Sequence, residues 1–147
     1  MAKECIFCKI ISGEIAANVV LEEQHAIAFL DHRPLFPGHS LLIPKEHIET
    51  LLELPEKDLA PFFSSAQRLA AAIQLALQAE GTFVAINNRV SQSVPHLHVH
   101  IVPRRRKDGL KGFFWPRHKY RSEEEILTVE NAIRAALTEL QARAKEI

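Results

Sequence analysis

The stretch that decides the fold reads His96-Leu97-His98-Val99-His100-Ile101-Val102. Successive side chains of a β-strand point to opposite faces, so the three histidines fall on one face and Leu97, Val99 and Ile101 on the other. The apolar face predicts burial in a core, and the histidine face is expected to meet solvent. Histidine is not a favoured strand residue, so three imidazoles at a period of two indicate chemistry.

Two kinds of chemistry fit the alternating histidines. Neutral imidazoles can hold a metal ion that keeps one position open for water, as in a metal hydrolase. Alternatively, one imidazole attacks an electrophile while its neighbours fix its tautomer and donate protons. The segment Ser91-Gln92-Ser93-Val94-Pro95 before the histidines supplies hydroxyl, amide and backbone donors. Because such donors suit the charged oxygens of a phosphate, the sequence favours nucleophilic attack at phosphorus.

Motifs elsewhere extend this pattern in a fixed order: Cys5-Ile6-Phe7-Cys8-Lys9-Ile10, Ala28-Phe29-Leu30-Asp31, Pro37-Gly38-His39 and Leu42-Ile43-Pro44-Lys45. Together with Gln-Ser-Val before the histidines, they resemble the histidine triad (HIT) family of nucleotide hydrolases and transferases. The resemblance covers about residues 5–104. It implies an α+β fold in which one long helix packs on a five-stranded antiparallel sheet. It also implies a two-fold homodimer.

Local patterns are consistent with that fold, and strands are predicted over residues 19–21, 26–30, 40–43 and 82–86. The longest helix is predicted to begin at Pro55 and to stop at Gly81. A capping box, Ser122-x-x-Glu125, begins a last helix. We therefore expect a single domain over 1–147, with its core at about 5–104. The region 105–147 adds an aromatic loop with Phe113, Phe114 and Trp115 and the last helix.

Composition and charge narrow the class of protein. Eighteen basic residues balance eighteen acidic ones, so no overall field favours a nucleic acid polymer or a membrane as partner. The polar start and the absence of a long apolar run predict a cytoplasmic protein. The basic run Arg104-Arg105-Arg106-Lys107 is either a solvated loop or a contact for an anionic substrate tail.

The resemblance implies a covalent mechanism that needs no catalytic cofactor. His98 would attack the α-phosphorus of a nucleotide and form a transient nucleotidyl-histidine, which water hydrolyses. His100 would bind the phosphoryl oxygens and help protonate the leaving group, and His39 would lie beside that group. Ser93 would donate to the α-phosphate.

The remaining substrate contacts are also implied by the resemblance. Asp31 would accept hydrogen bonds from both ribose hydroxyls, although a turn cap at the strand end is the alternative. Gln92 and one of two adjacent amides, preferably Asn87 rather than Asn88, would contact phosphate. The pocket for a purine base would come from Phe7, Ile10, Phe29 and His32, where His32 stands at a position that is more often apolar in the family.

The substrate class follows from the same resemblance. A purine nucleoside phosphoramidate or a dinucleoside polyphosphate would be hydrolysed at the α-phosphate. A nucleotidylyltransferase with the same intermediate and a nucleotide-binding module without turnover are the alternatives.

Cys5 and Cys8 form the only C-x-x-C pair of the sequence. In a reducing compartment, such a pair indicates a metal or redox site rather than a structural disulfide. The resemblance to bacterial members implies a structural Zn²⁺ whose other two ligands are His47 and His96. A reduced, metal-free pair that packs as two small apolar side chains is the alternative.

One departure from the family concerns the loop before the histidines. The family usually has glycine before Gln-Ser-Val, whereas this chain has Ser91. Residues 87–96 contain no glycine, so we expect this backbone to avoid positive φ angles.

Overall fold

The structure, a computed structural model, describes residues 4–110 and 117–146. The chain divides into two compact units, Met1–Asp108 and Gly109–Ile147. The predicted aromatic residues Phe113, Phe114 and Trp115 lie outside the described residues. The expectation of one domain over 1–147 stays a prediction.

The described elements follow in the order α1 Ile6–Ile11, β1 Val19–Glu22, β2 Ala26–Leu30, β3 Ser40–Pro44, a 3-10 turn Leu51–Glu53, α2 Glu56–Leu77, β4 Gly81–Ile86, β5 Val99–Arg104 and α3 Glu123–Lys145. The five strands form one antiparallel sheet in the order β1-β2-β3-β5-β4. This confirms the predicted α+β class, with a five-stranded sheet, the helix α2 and a C-terminal helix.

One face of the sheet is covered by α2. Leu97, Val99 and Ile101 are fully buried in the same cluster as Phe62 and Leu69 of this helix. The alternating apolar residues therefore do face a core, as the period of two predicts. On α2 itself, other apolar side chains, among them Leu59, Phe63 and Leu77, remain more than one third exposed.

The opposite face of the sheet is covered by the N-terminal helix α1. Phe7 of α1 is buried in a second cluster with Phe29 of β2 and Leu41 of β3. Cys5 and Cys8 belong to the same cluster. Because α1 covers the face on which the histidines lie, the expectation that this face meets solvent is wrong.

The helix ends differ in part from the predicted ones. Helix α2 ends before Gln78, which takes the left-handed conformation with φ 52° and lets the chain turn into β4, where Gly81 is the first residue. Helix α3 has 23 residues and α2 has 22, so α2 is not the longest helix. The capping box of α3 is confirmed, since the Ser122 hydroxyl accepts from the Glu125 N–H at 3.1 Å. None of the helices in the described ranges is both long and apolar enough to cross a membrane.

Candidate active site and metal site

The three histidines lie side by side under α1. Strand β5 begins only at Val99, because the preceding N–H of Leu97 donates to the carbonyl of Ile48 rather than to a neighbouring strand. The ring centroids of His98 and His100 are 5.0 Å apart, and the ring centroid of Phe7 lies 5.3 Å from that of His98. His98 is only 2% exposed, so Phe7 shields it from bulk water.

A backbone carbonyl sets the tautomer of His98. Its Nδ1 lies 2.7 Å from the carbonyl oxygen of His96. A carbonyl can only accept, so Nδ1 carries the proton and Nε2 keeps a free lone pair in the neutral ring. His98 also lines a cavity of about 330 Å³, so this arrangement suits a nucleophile at Nε2.

His39 and His100 form a hydrogen-bond relay whose direction is also set by the backbone. The Leu35 N–H donates to Nδ1 of His39 at 3.1 Å, which places the proton of neutral His39 on Nε2. This Nε2–H then donates to Nδ1 of His100 at 3.0 Å. His100 must therefore carry its own proton on Nε2, where it can donate to a ligand.

Burial keeps the relay neutral near pH 7. Desolvation lowers the pKa of His100 to about 4, with a further contribution from the neighbouring His98. Burial also lowers the pKa of His39, although the Asp31 carboxylate, 3.7 Å from its Nε2, acts in the opposite direction. Both rings are therefore hydrogen-bonding groups rather than fixed charges.

Among the residues that the structure describes, two groups of side chains are close enough to hold a metal ion. The hydrogen-bond partners of their histidines distinguish the two groups. Asp31, His39 and His100 form the first group. A histidine that binds a metal normally donates its other ring N–H to an acceptor. The other nitrogen of His39 instead receives the Leu35 N–H, so this group fits a proton relay better than a metal site.

The second group fits a metal ion. Sγ of Cys5 lies 3.5 Å from Nδ1 of His96, and Sγ of Cys8 lies 3.3 Å from Nδ1 of His47. Ligands of a tetrahedral zinc ion with usual bond lengths are about 3.5 Å apart. Nε2–H of His96 donates to the Pro44 carbonyl at 2.8 Å, which aims Nδ1 at the two sulfurs. Cys5, Cys8, His47 and His96 can therefore bind one metal ion with two thiolates and two imidazoles.

A cavity of about 330 Å³ begins at the histidines. It is lined by most of the residues that were predicted to contact a nucleotide, namely Phe7, Ile10, Phe29, Asp31, His32, Ser93, His98 and His100. The cavity is also lined by residues that were not predicted from the sequence, namely Ile6, Ile15, Ala16, Ala17, Asn18, Leu30, Leu41 and Val94. Several of these lie between α1 and β1, where no periodic pattern marks them.

Two of the predicted phosphate contacts, Asn87 and Gln92, are not among the described residues that line the cavity. The side chain of Gln92 connects two backbone groups instead. Its Oε1 accepts from the Arg89 N–H at 2.7 Å, and its Nε2 donates to the Glu49 carbonyl at 2.6 Å. Oδ1 of Asn88 accepts from the Leu51 N–H at 3.0 Å, and the phosphate contact of Asn87 stays a prediction.

The loop before the histidines does adopt positive φ angles, contrary to expectation. Arg89 has φ 69° and Ser91 has φ 60°. The two hydrogen bonds of Gln92 hold the loop in this shape, and the Arg89 guanidinium lies 3.3 Å from Glu53. Tertiary contacts therefore impose a conformation that the local sequence disfavours.

The basic run that begins at Arg104, the last residue of β5, makes contacts within the protein. Arg104 pairs with Asp108, and the Arg106 N–H donates to Glu80 at 3.0 Å. The Arg105 guanidinium donates to the Leu77 carbonyl. These contacts favour a structured loop over a free contact for a substrate tail.

Comparison with known proteins agrees with this geometry. A family model described as the HIT domain matches residues 12–107. The chain belongs to the HIT family.

Relatives within the family are similar over most of the chain. The protein named Protein hit of Bacillus subtilis is 40% identical over 119 residues, which are 80% of this chain and 82% of that protein. Adenosine 5'-monophosphoramidase HNT1 of Saccharomyces cerevisiae is 39% identical over 110 residues, which are 72% of this chain and 66% of that protein.

Solved structures share the fold of this chain. SMU.412c from Streptococcus mutans superposes with a TM-score of 0.85 at 32% identity, covering 93% of this chain and 87% of that one. A Zn-bound histidine triad family protein from Mycobacterium smegmatis superposes with a TM-score of 0.69 at 37% identity, covering 95% of this chain and 96% of that one.

Proposed function

We propose that this HIT protein is a nucleotide hydrolase that cleaves at the α-phosphate through a nucleotide bound covalently to His98. The observation that carries the proposal is the hydrogen bond from Nδ1 of His98 to the His96 carbonyl. It leaves Nε2 as the nucleophilic nitrogen at a cavity that also contains the Asp31 carboxylate.

The proposed reaction has two steps. In the first, Nε2 of His98 attacks the α-phosphorus, a P–N bond forms and the bond to the leaving group breaks. The leaving group departs with a proton, for which Nε2–H of His100 is the nearest donor in the relay. In the second step, water attacks the same phosphorus and gives one proton to Nε2 of His100, which restores the starting state of the relay. The P–N bond to His98 breaks, and a nucleoside monophosphate and free His98 are released.

The relay and the loop assist both steps by donating hydrogen bonds. Nε2–H of His39 donates to Nδ1 of His100. The proton of His100 therefore stays on its Nε2, where it can donate to the substrate. The Ser93 hydroxyl lines the cavity and can donate to an α-phosphate oxygen. Asn87 stays a proposed phosphate contact at the end of β4, whereas Gln92 holds the loop.

The cavity suits a purine nucleoside. Phe7, Ile10 and Phe29 provide an apolar wall for the base, with His32 beside them. The carboxylate of Asp31 can accept from the 2′- and 3′-hydroxyls together. Because HNT1 is an adenosine 5'-monophosphoramidase, we propose a purine nucleoside phosphoramidate as the first substrate class and a dinucleoside polyphosphate as the second.

We further propose that Cys5, Cys8, His47 and His96 bind structural Zn²⁺. Four protein ligands leave no open position for water, so the ion stabilises the protein and takes no part in the reaction. The 3.3–3.7 Å spacings of the sulfurs and nitrogens support this, and so does the Zn-bound relative.

A homodimer is proposed from surfaces that the unit Met1–Asp108 leaves exposed. Strand β4 is at an edge of the sheet, and its Val84 is 49% exposed. Leu59 and Phe63 are exposed on α2, which contacts β4. A strand at the edge of the sheet beside exposed apolar side chains favours pairing with another chain.

The covalent intermediate provides the test. His98→Asn keeps an amide that can replace Nδ1–H at the His96 carbonyl but has no nucleophile at the Nε2 position. We expect this variant to lose turnover of a nucleoside phosphoramidate by several orders of magnitude while it retains the metal and the unfolding midpoint. His118→Asn, which changes an exposed histidine of the other unit, is the control and should retain full activity.

Rapid quenching at alkaline pH followed by peptide mass spectrometry should place the nucleotide on His98. Label on another residue, or near-normal turnover by His98→Asn, would overturn the proposal. Product analysis with and without orthophosphate separates the hydrolase from a transferase, because a transferase would form a nucleoside diphosphate.

A further inference from the structure

Helix α3 carries an apolar stripe that is exposed along its whole length. The stripe consists of Ile126, Val129, Ile133, Leu137 and Leu140, which are between 38% and 60% exposed. At 3.6 residues per turn, these five side chains lie within an arc of about 80°. A narrow continuous stripe of this kind is the surface that one helix presents to another.

The spacing of the stripe is symmetric about its centre. From Ile126 the steps to the next members are three, four, four and three residues, so Ile133 is the midpoint. In an antiparallel pair of identical helices with a two-fold axis at Ile133, Ile126 faces Leu140 of the second copy. Val129 then faces Leu137, and Ile133 faces its own counterpart. All five apolar side chains meet an apolar partner in this one register.

The charges of α3 favour the same antiparallel arrangement. Glu123, Glu124 and Glu125 form the first turn, and Arg143 and Lys145 lie in the last turn. A parallel pair would bring the acidic turns of both helices together. The antiparallel register places the acidic first turn of one helix beside the basic last turn of the other, and it also opposes the two helix dipoles favourably.

We propose that α3 is a self-association surface that pairs antiparallel with α3 of a second copy of this chain, about a two-fold axis at Ile133. The match of apolar spacing and charge selects a second copy as the partner. The pairing does not depend on the proposed enzymatic activity.

Cysteine crosslinking of the full-length, metal-loaded protein tests the register. Ile126→Cys and Leu140→Cys chains are mixed in oxidised glutathione, and crosslinked peptides are mapped by mass spectrometry. We expect the disulfide that joins an Ile126→Cys chain to a Leu140→Cys chain to exceed the one between two Ile126→Cys chains at least roughly tenfold. Ile133→Cys should crosslink to itself. Native Cys5 and Cys8 are buried and give distinguishable peptides.

Charge at the axis provides a second test. Ile133→Arg would place two like charges face to face, so it should reduce the crosslink between positions 126 and 140 roughly a hundredfold or more. Leu127→Arg is the matched control, because Leu127 is an exposed apolar residue of α3 that lies about 100° from Ile126 and outside the stripe. It should leave the crosslink unchanged.

Three results would overturn the proposal. A dominant bond between two copies of position 126 would indicate a parallel pair. Equal effects of Ile133→Arg and Leu127→Arg would indicate a nonspecific loss. Absence of both the bond between two copies of position 133 and the bond between positions 126 and 140 would indicate that the stripe contacts another surface.

Discussion

Ser91 is a position where the structure and the residue type conflict, and replacing it with glycine has a predictable effect. Ser91 has φ 60°, in the left-handed region where a Cβ atom crowds the backbone. Ser91→Gly removes the Cβ atom without changing the exposed surroundings of the loop. We therefore expect the free energy of unfolding to rise.

The size of the gain is a difference of two terms. A non-glycine residue in the left-handed conformation costs roughly 1–2 kcal/mol. Glycine, however, loses more backbone entropy on folding than alanine does, which costs roughly 0.5–1 kcal/mol. The net gain from Ser91→Gly is therefore between about 0 and 1.5 kcal/mol. Each 1 kcal/mol corresponds to a rise of roughly 2–4 °C in Tm for a chain of this length.

The assay compares glycine with alanine at two serines. Ser91→Ala keeps the Cβ atom and removes the hydroxyl, so the glycine-minus-alanine difference isolates the backbone effect. Urea unfolding at constant metal loading should show that Ser91→Gly is more stable than Ser91→Ala. At Ser64, an exposed position inside α2, the order should be reversed, and Ser64→Ala should be more stable than Ser64→Gly by about 1 kcal/mol.

Opposite signs at the two positions are the essential result. If alanine is the more stable variant at both positions, the left-handed conformation of Ser91 is not maintained in solution. The idea that tertiary contacts strain this loop would then be wrong.

Three further predictions concern the metal, the ribose and pH. Purified protein should contain close to one zinc ion per chain, and Cys8→Ser should lose it and lower Tm, because an ion that binds only folded protein contributes its binding free energy to stability. Metal-free wild-type protein of equal Tm would contradict this. Asp31→Asn should weaken binding of a ribonucleotide by roughly 1–3 kcal/mol but change binding of its 2′-deoxy analogue much less; equal losses, measured by calorimetry, would remove Asp31 from the ribose. Burial lowers the pKa of His100 to about 4, so the unfolded chain takes up this proton first as pH falls below about 6.5. The stability contributed by a neutral His100 is therefore complete above that pH and is lost between about pH 6.5 and 4. The urea midpoint of His100→Asn should therefore fall less than that of wild type over this pH interval. Parallel plots of midpoint against pH for the two proteins would refute the assignment.

Much of the fold and part of the site could be predicted from local patterns. The alternation of Leu97, Val99 and Ile101 predicts a buried face because strand side chains alternate, and the structure buries all three. The capping box at Ser122 predicts the start of α3 because its hydrogen bond joins residues only three positions apart. The C-x-x-C pair predicts two metal ligands because its two cysteines are also only three positions apart. These signals depend on near neighbours, so the sequence determined them alone.

The state of the histidines depended on contacts between distant residues. His98 is buried because Phe7, far away in sequence, covers it, and His100 keeps its proton on Nε2 because the Leu35 amide orients His39. No periodic pattern encodes which backbone N–H or carbonyl meets a ring nitrogen.

Contacts between distant residues also explain the conformation of the loop before the histidines. Ser91 adopts a left-handed conformation because Gln92 joins Arg89 to Glu49 across the fold. The sequence thus determined which elements form and which side chains are candidates for the reaction. Tertiary structure decided where their protons lie, because hydrogen bonds between segments far apart in the chain exist only after those segments pack together.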